Sequence, residues 1–187
     1  MTTRCILQVA LLLSISTTAL ARSYKLLQFQ QRSSNLACQK LLWKLNGAPE
    51  SCLEDRMDFK IPEEIKQPDQ LQKEDAALVI YEMLLQIFDI FLGNFSHTGW
   101  DETVIENLLA ELSQQRDRLV TILEESMEEE NPTSRNIMTI FHLKNYYLGI
   151  GQYLEAKDYS SCAWTVVQME ILRNFSFISG LTDYLQN

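Results

Sequence analysis

Four prolines, Pro49, Pro62, Pro68 and Pro132, fall outside every long apolar pattern in this chain. A proline inside a helix removes a hydrogen bond and clashes with the preceding turn, so these positions mark connections. Five segments remain in which helical spacing runs unbroken, and the fold class they predict is all-α.

The first segment runs from about Tyr24 to Leu45, with Cys38, Leu41, Leu42 and Leu45 on one stripe and Lys40 and Lys44 off it. The 25 residues from Asn46 to Gln70 carry three of the prolines and read as a connection rather than a helix. Lys73 to Leu92 is apolar nearly all round, with a narrow polar stripe at Glu82, Gln86 and Asp89, which predicts the most buried helix of the set. Gly93 to Trp100 breaks that pattern. Asp101 then caps a third helix whose Ile105, Leu108, Leu109, Leu112, Leu119 and Ile122 share a face. A fourth helix spans about Asn136 to Lys157 with Ile137, Ile140, Phe141, Tyr147, Leu148 and Leu154. The fifth follows a Ser160 cap, with Trp164, Val167, Ile171, Ile178, Leu181 and Leu185 in a near-heptad stripe. A short loop forces antiparallel neighbours, whereas the long connection after the first helix can carry the chain along the whole bundle. The expected topology is therefore up-up-down-down with a long first crossover.

The first 21 residues read as a signal peptide. Arg4 supplies a positive charge, Ile6 to Leu13 an apolar run too short to span a bilayer, and Ala19-Leu20-Ala21 a small-x-small cleavage site. The mature chain would begin at Arg22 and form one domain over residues 22–187, secreted and without membrane insertion. It holds 15 basic and 25 acidic residues, a net charge of −10. That balance works against nucleic acid and anionic membranes as partners. The run Glu124, Glu125, Glu128, Glu129 and Glu130 reads as a solvated helix end.

Three cysteines lie beyond the leader, an odd number, so one thiol stays free. Cys38 lies on an apolar stripe and reads as a buried, inert thiol. Cys52 and Cys162 lie near predicted element ends, where backbones can approach. A bond between them would stabilise the fold by about 4 to 5 kcal/mol on the chain-entropy estimate.

Catalysis finds little support. His97 and His142 are the only histidines and neither belongs to a metal-binding spacing, so no metal and no cofactor are expected. Phosphate loops, nucleophile elbows and dinucleotide fingerprints are missing as motifs. Two sequons, Asn94-Phe95-Ser96 in a loop and Asn174-Phe175-Ser176 in the fifth helix, make Asn94 and Asn174 the candidate N-glycosylation sites. Asn131-Pro132-Thr133 is excluded by its proline.

Several runs together carry a family resemblance. They are Gln31-Arg32-Ser33-Ser34-Asn35, Cys38-Gln39-Lys40-Leu41-Leu42-Trp43, Asp55-Arg56-Met57, and Ile61-Pro62-Glu63-Glu64-Ile65-Lys66. Later come Tyr146-Tyr147-Leu148-Gly149-Ile150-Gly151-Gln152-Tyr153-Leu154 and, seven residues on, Cys162-Ala163-Trp164. With these the chain resembles the mammalian type I interferons over almost its whole length. The resemblance implies a secreted antiviral cytokine, not an enzyme, expected as a monomer. Such a cytokine joins two different extracellular receptor chains whose Janus kinases signal through STAT proteins.

By motif match, the tight-binding receptor chain would meet Leu53 and Arg56 after the first helix, and Met169, Leu172 and Arg173 on the last. Lys144 is carried over to the weaker-receptor face. Exposed apolar residues flanked by arginine also fit the composition of interface hot spots. Each position keeps a structural alternative, with Leu53 and Leu172 as core and Arg56 as an internal staple to a carboxylate. Four residues depart from the family pattern. Gln168 stands where an arginine is common, which implies one weakened contact. Gly149 and Gly151 imply a pliable fourth helix, and Asp101 replaces a sequon asparagine. A helical growth factor or hormone with a different receptor, and a carrier of apolar ligands, share the leader and the amphipathic helices.

Overall fold

A computed structural model describes residues 24–127 and 134–185, so the leader and most of the acidic run lie outside the described residues. Helix α1 covers residues 24–44. It is followed by α2 (Glu63–Lys66), α3 (Lys73–Phe91), α4 (Glu102–Met127), α5 (Ser134–Ala156) and α6 (Ser161–Tyr184). No strand occurs among the described residues. The crossover between α1 and α3 departs from the structureless connection expected. It holds three short 3-10 turns and the single helical turn α2, whose Ile65 plugs into the core.

Side-chain hydrogen bonds fix the direction of each helix. Gln28 Nε2 near the start of α1 donates to the carbonyls of Thr182 and Asp183 at the end of α6, and Gln168 near the start of α6 reaches Leu42 and Leu45 at the end of α1. These two helices are antiparallel. Trp164 Nε1 donates to Asn94 O just past α3, while Tyr184 Oη donates to Leu71 O just before it, so α3 also opposes α6. Arg118 and Gln115 of α4 meet Ser34 and Cys38 of α1, in the order expected for antiparallel packing. Thus α1 and α3 run one way and α4 and α6 the other, the up-up-down-down bundle. The second long overhand connection, from α4 to α6, is itself the helix α5.

Burial follows from composition. Ala76, Ala77, Ile80, Met83, Leu84 and Ile87 of α3 are fully buried because α4, α5 and α6 all pack on it. Asp101 caps α4 by accepting from Thr103 N at 2.9 Å, and Ser160 caps α6 by accepting from Ala163 N at 3.2 Å. At the end of α3 a Cβ on Gly93 would stand 3.0 Å from Ile90 O, tighter than ordinary packing allows. Between α5 and α6 the chain turns through Asp158 and Tyr159, both in the left-handed region. Tyr159 N bonds back to Leu154 O at 2.9 Å, closing the helix end.

The fourth predicted stripe is only half right. Ile137, Phe141 and Leu148 of α5 are more than half exposed, whereas Leu143, Tyr146, Tyr147, Ile150 and Leu154 form the buried face. Two apolar stripes lie side by side on this helix, and the sequence pattern merged them.

Candidate functional site

Cys52 sits between two 3-10 turns of the crossover and Cys162 is the second residue of α6. Their Cα atoms are 5.2 Å apart in a disulfide that spans 110 residues of sequence. Cys38 is the free thiol and is fully buried. Burial pushes its pKa up to about 12, with the nearby Glu111 carboxylate adding to the shift.

Beside the disulfide an open groove of about 750 Å³ runs between the crossover and α6, lined by Pro49, Cys52, Arg56, Met57, Val166, Met169, Glu170 and Arg173. Three predicted residues, Arg56, Met169 and Arg173, thus share one groove, and Leu53 stands exposed on the 3-10 turn before Arg56. The two arginines differ. Arg173 donates to Glu170 Oε1 at 2.6 Å and to Phe59 O at 2.7 Å. Burial works against its charge, but the Glu170 carboxylate outweighs that and holds its pKa above the ordinary value. Arg56 is exposed, and its guanidinium has no hydrogen bond or ion pair among the described residues. The staple alternative for Arg56 therefore has no carboxylate to support it.

Sequence reading missed what holds the turn under Arg56. Tyr153 Oη donates to Asp55 O at 2.7 Å, and Lys157 Nζ lies 2.9 Å from the Asp55 carboxylate. Tyr153 also meets Phe59 edge-on at 5.3 Å between ring centroids. Both anchors come from the end of α5, far from the turn in sequence, so no local signal marks them.

Three expectations need correction. Leu172 is only 9 % exposed and belongs to the core, so it cannot be a surface contact as the chain stands. Gln168 is also interior. Its Nε2 donates to Leu42 O at 2.7 Å and Leu45 O at 2.8 Å, carbonyls at the end of α1 that also accept from Leu45 N and Gly47 N. A Cβ on Gly47 would stand 2.4 Å from Gln168 Oε1, so the chain leaves α1 through a glycine that lets this amide approach. The residue substitutes a structural clamp for the surface contact that an arginine there implied. Asn174, finally, is fully buried. Its Nδ2 donates to Tyr146 Oη at 2.7 Å and to Glu170 O at 2.9 Å, and its Oδ1 accepts from Tyr147 Oη at 2.5 Å. Tyr146 Oη in turn donates to Glu170 Oε1. Burial pushes both tyrosine pKa values above the usual range. An amide nitrogen bonded inside this network has no room for a carbohydrate.

A second groove, of about 510 Å³, lies between α3 and α5 and includes Gln86, Asp89, Gly93, Lys144, Tyr147, Leu148 and Gly151. Lys144 is exposed there, with Nζ 3.8 Å from the mostly buried Glu82 carboxylate. Exposed Phe141 and Leu148 flank it one helical turn away on either side. His142 Nδ1 lies 3.1 Å from Glu64 Oε1, tying α5 to α2. Among the described residues no group of histidine, cysteine and carboxylate side chains is arranged to hold a metal ion.

Comparison with known proteins is consistent with this architecture. The sequence profile of the interferon alpha/beta domain matches residues 27–185. Interferon beta of Homo sapiens and of Macaca fascicularis are each 62% identical over 187 residues, with 100% of both chains covered. Interferon beta of Mus musculus is 47% identical over the same span. Among solved structures, zebrafish interferon 2 superposes with a TM-score of 0.67 at 24% identity. That likeness covers 79% of this chain and 96% of the other, and it bears on the fold alone.

Proposed function

The chain belongs to the interferon alpha/beta family and is a type I interferon cytokine rather than an enzyme; on that premise we propose that it is exported, acts as a monomer, and bridges two extracellular chains of the type I interferon receptor to start JAK-STAT signalling. The hormone and carrier readings lose their support once the family is known. Nucleic acid and membrane insertion have no place in this mechanism.

The observation that carries the proposal is the groove between crossover and α6, where one unpaired cation, Arg56, stands beside Met169 and the already neutralised Arg173. A partner carboxylate or carbonyl facing Arg56 gains a new charge-assisted bond without breaking an existing one. Opposite Arg173 it would compete with Glu170. Met57 and Leu53, both 54 % exposed, give the apolar area that such an anchor needs around it. We assign this edge to the tight-binding chain. The α5 face with Phe141, Lys144 and Leu148 goes to the weaker one.

Two experiments test the reading. Purified mature protein should induce antiviral genes in cells of its own species, and cells lacking either receptor chain should stay silent; a full response in such cells would refute it. Truncating the exposed side chain, by Arg56→Ala, should leave folding intact and weaken the tight chain selectively.

A further inference from the structure

We propose that the protein binds at least one internal water molecule between α1, α4 and α6, held by Gln31, Asn35, Gln115 and Arg118. The inference is independent of the receptor assignment, because it rests on hydrogen bonding inside the bundle.

The sequence of α1 sets this place apart. The inward stripe of a bundle helix is ordinarily apolar. Between residues 28 and 35 that of α1 instead carries Gln28, Gln31, Ser34 and Asn35, none more than 7 % exposed. Gln115, fully buried on α4 between Leu112 and Leu119, answers them from across the seam. Part of this polarity is matched within the protein. Gln28 Nε2 donates to the carbonyls of Thr182 and Asp183, and Asn35 Nδ2 donates to Thr182 Oγ1 at 3.2 Å. From α4, Arg118 Nη2 donates to Ser34 Oγ at 2.8 Å and Gln115 Nε2 to Cys38 Sγ at 3.2 Å.

Four atoms in the same stretch stay unmatched. Gln31 Nε2, Asn35 Oδ1, Gln115 Oε1 and Arg118 Nε are shut away from solvent and have no hydrogen-bond partner among the described residues. Their side chains are neighbours. Gln31 and Asn35 stand one turn apart on α1, Gln115 and Arg118 one turn apart on α4, and Gln31 Oε1 lies 3.5 Å from Arg118 Nη2.

The chemistry of the four identifies the occupant. Two are donors and two are acceptors, the complement of one water molecule, which donates twice and accepts twice. Turning the Gln115 amide over exchanges an acceptor for a donor, and the set still needs a partner that both gives and takes. An anion would face the oxygens of Asn35 and Gln115, and a cation would face the Arg118 guanidinium. The carboxylates of Glu111 and Asp117 already act on that guanidinium, so no unmatched charge calls for an ion. Outward of the site, Ser34 and Arg118 line an open groove of about 300 Å³ between α1 and α4, which gives water a way in.

High-resolution diffraction from the exported protein should show a solvent peak within about 2.7 to 3.2 Å of at least one of the two donors and one of the two acceptors. In solution, oxygen-17 relaxation dispersion should report long-lived internal water. The double variant Gln31→Met/Gln115→Met puts unbranched apolar side chains on two sides of the site and should lower the dispersion amplitude by the equivalent of one molecule or more. Gln114→Met, at an exposed neighbour, should leave it unchanged. If the double variant does not fold, the two wild-type measurements decide. A dry seam in the crystal, with Gln31 bonded directly to Asn35 or Gln115, overturns the proposal. So does a wild-type dispersion without long-lived water, or an amplitude that a folded double variant leaves unchanged. An anomalous peak at these four atoms in crystals grown with bromide would make the place an anion site and overturn it as well.

Discussion

The crossover edge and the α3–α5 face are built on opposite terms. At the first, a covalent bond, the Gln168 clamp on α1 and the Asp55 anchors from α5 converge on a few residues around Arg56. At the second, α5 meets α3 across an open groove, with two glycines on α5 that have nothing within 4 Å of a would-be Cβ. A surface fixed in advance loses little freedom on binding, whereas a pliable one must be ordered by its partner. Under the assignment proposed above, the difference would let the scaffold set unequal receptor affinities before any contact is made.

Removing the disulfide is the harshest way to break that contrast. A Cys52→Ser/Cys162→Ser double variant should lose about 4 to 5 kcal/mol of folding stability, read by chemical denaturation, and faster amide exchange should concentrate in residues 46–60. Exchange that rises equally on α5 would show that the edge is no more pinned than the face. Next comes Leu172→Ala, which should cost about 2 to 5 kcal/mol of stability through a cavity. Its effect on affinity should be small once folding is corrected for; a large affinity loss in a fully folded protein would return Leu172 to the interface.

A smaller effect separates the interior from both surfaces. Cys38 has its folded pKa raised to about 12 from 9.0, so the neutral thiol is favoured by folding. Its contribution is present below pH 9 and is lost as pH rises toward 12, at up to about 1.4 kcal/mol per pH unit. The alkaline limb of the stability curve should be shallower by that slope in Cys38→Ala. Smallest of all, Gly149→Ala and Gly151→Ala should each stabilise the protein by up to about 1 kcal/mol, because a Cβ at either position meets open space. Should either substitution destabilise, the helix there is not the pliable element described.

The bundle was legible in the sequence wherever a physical rule has one outcome. Pro49, Pro62 and Pro68, all in the crossover, marked where the long helices stop, Asp101 and Ser160 marked caps, and the nearly all-apolar α3 announced its central place. What stayed illegible depends on neighbours supplied by distant segments. Helix α6 is buried on most of its circumference, so periodicity could not say whether Leu172 or Gln168 faced outward. Asn174 reads as a surface sequon until Tyr146 and Tyr147, on another helix, are seen to surround it. Helix α2 is one turn long, too short for any period to register. The grouping of Arg56, Met169 and Arg173 came from family resemblance and the disulfide together, since more than 100 residues separate Arg56 from the other two.

The most direct measurement is surface binding of the wild type, Arg56→Ala and Lys144→Ala to each receptor ectodomain, with thermal unfolding as a control for folding. Arg56→Ala should weaken the tight chain by about 1 to 3 kcal/mol and leave the weaker chain unchanged, and Lys144→Ala should do the converse with a smaller loss. Full affinity for the tight chain in a folded Arg56→Ala protein, or an equal loss toward both chains, would contradict an anchored edge built around that arginine.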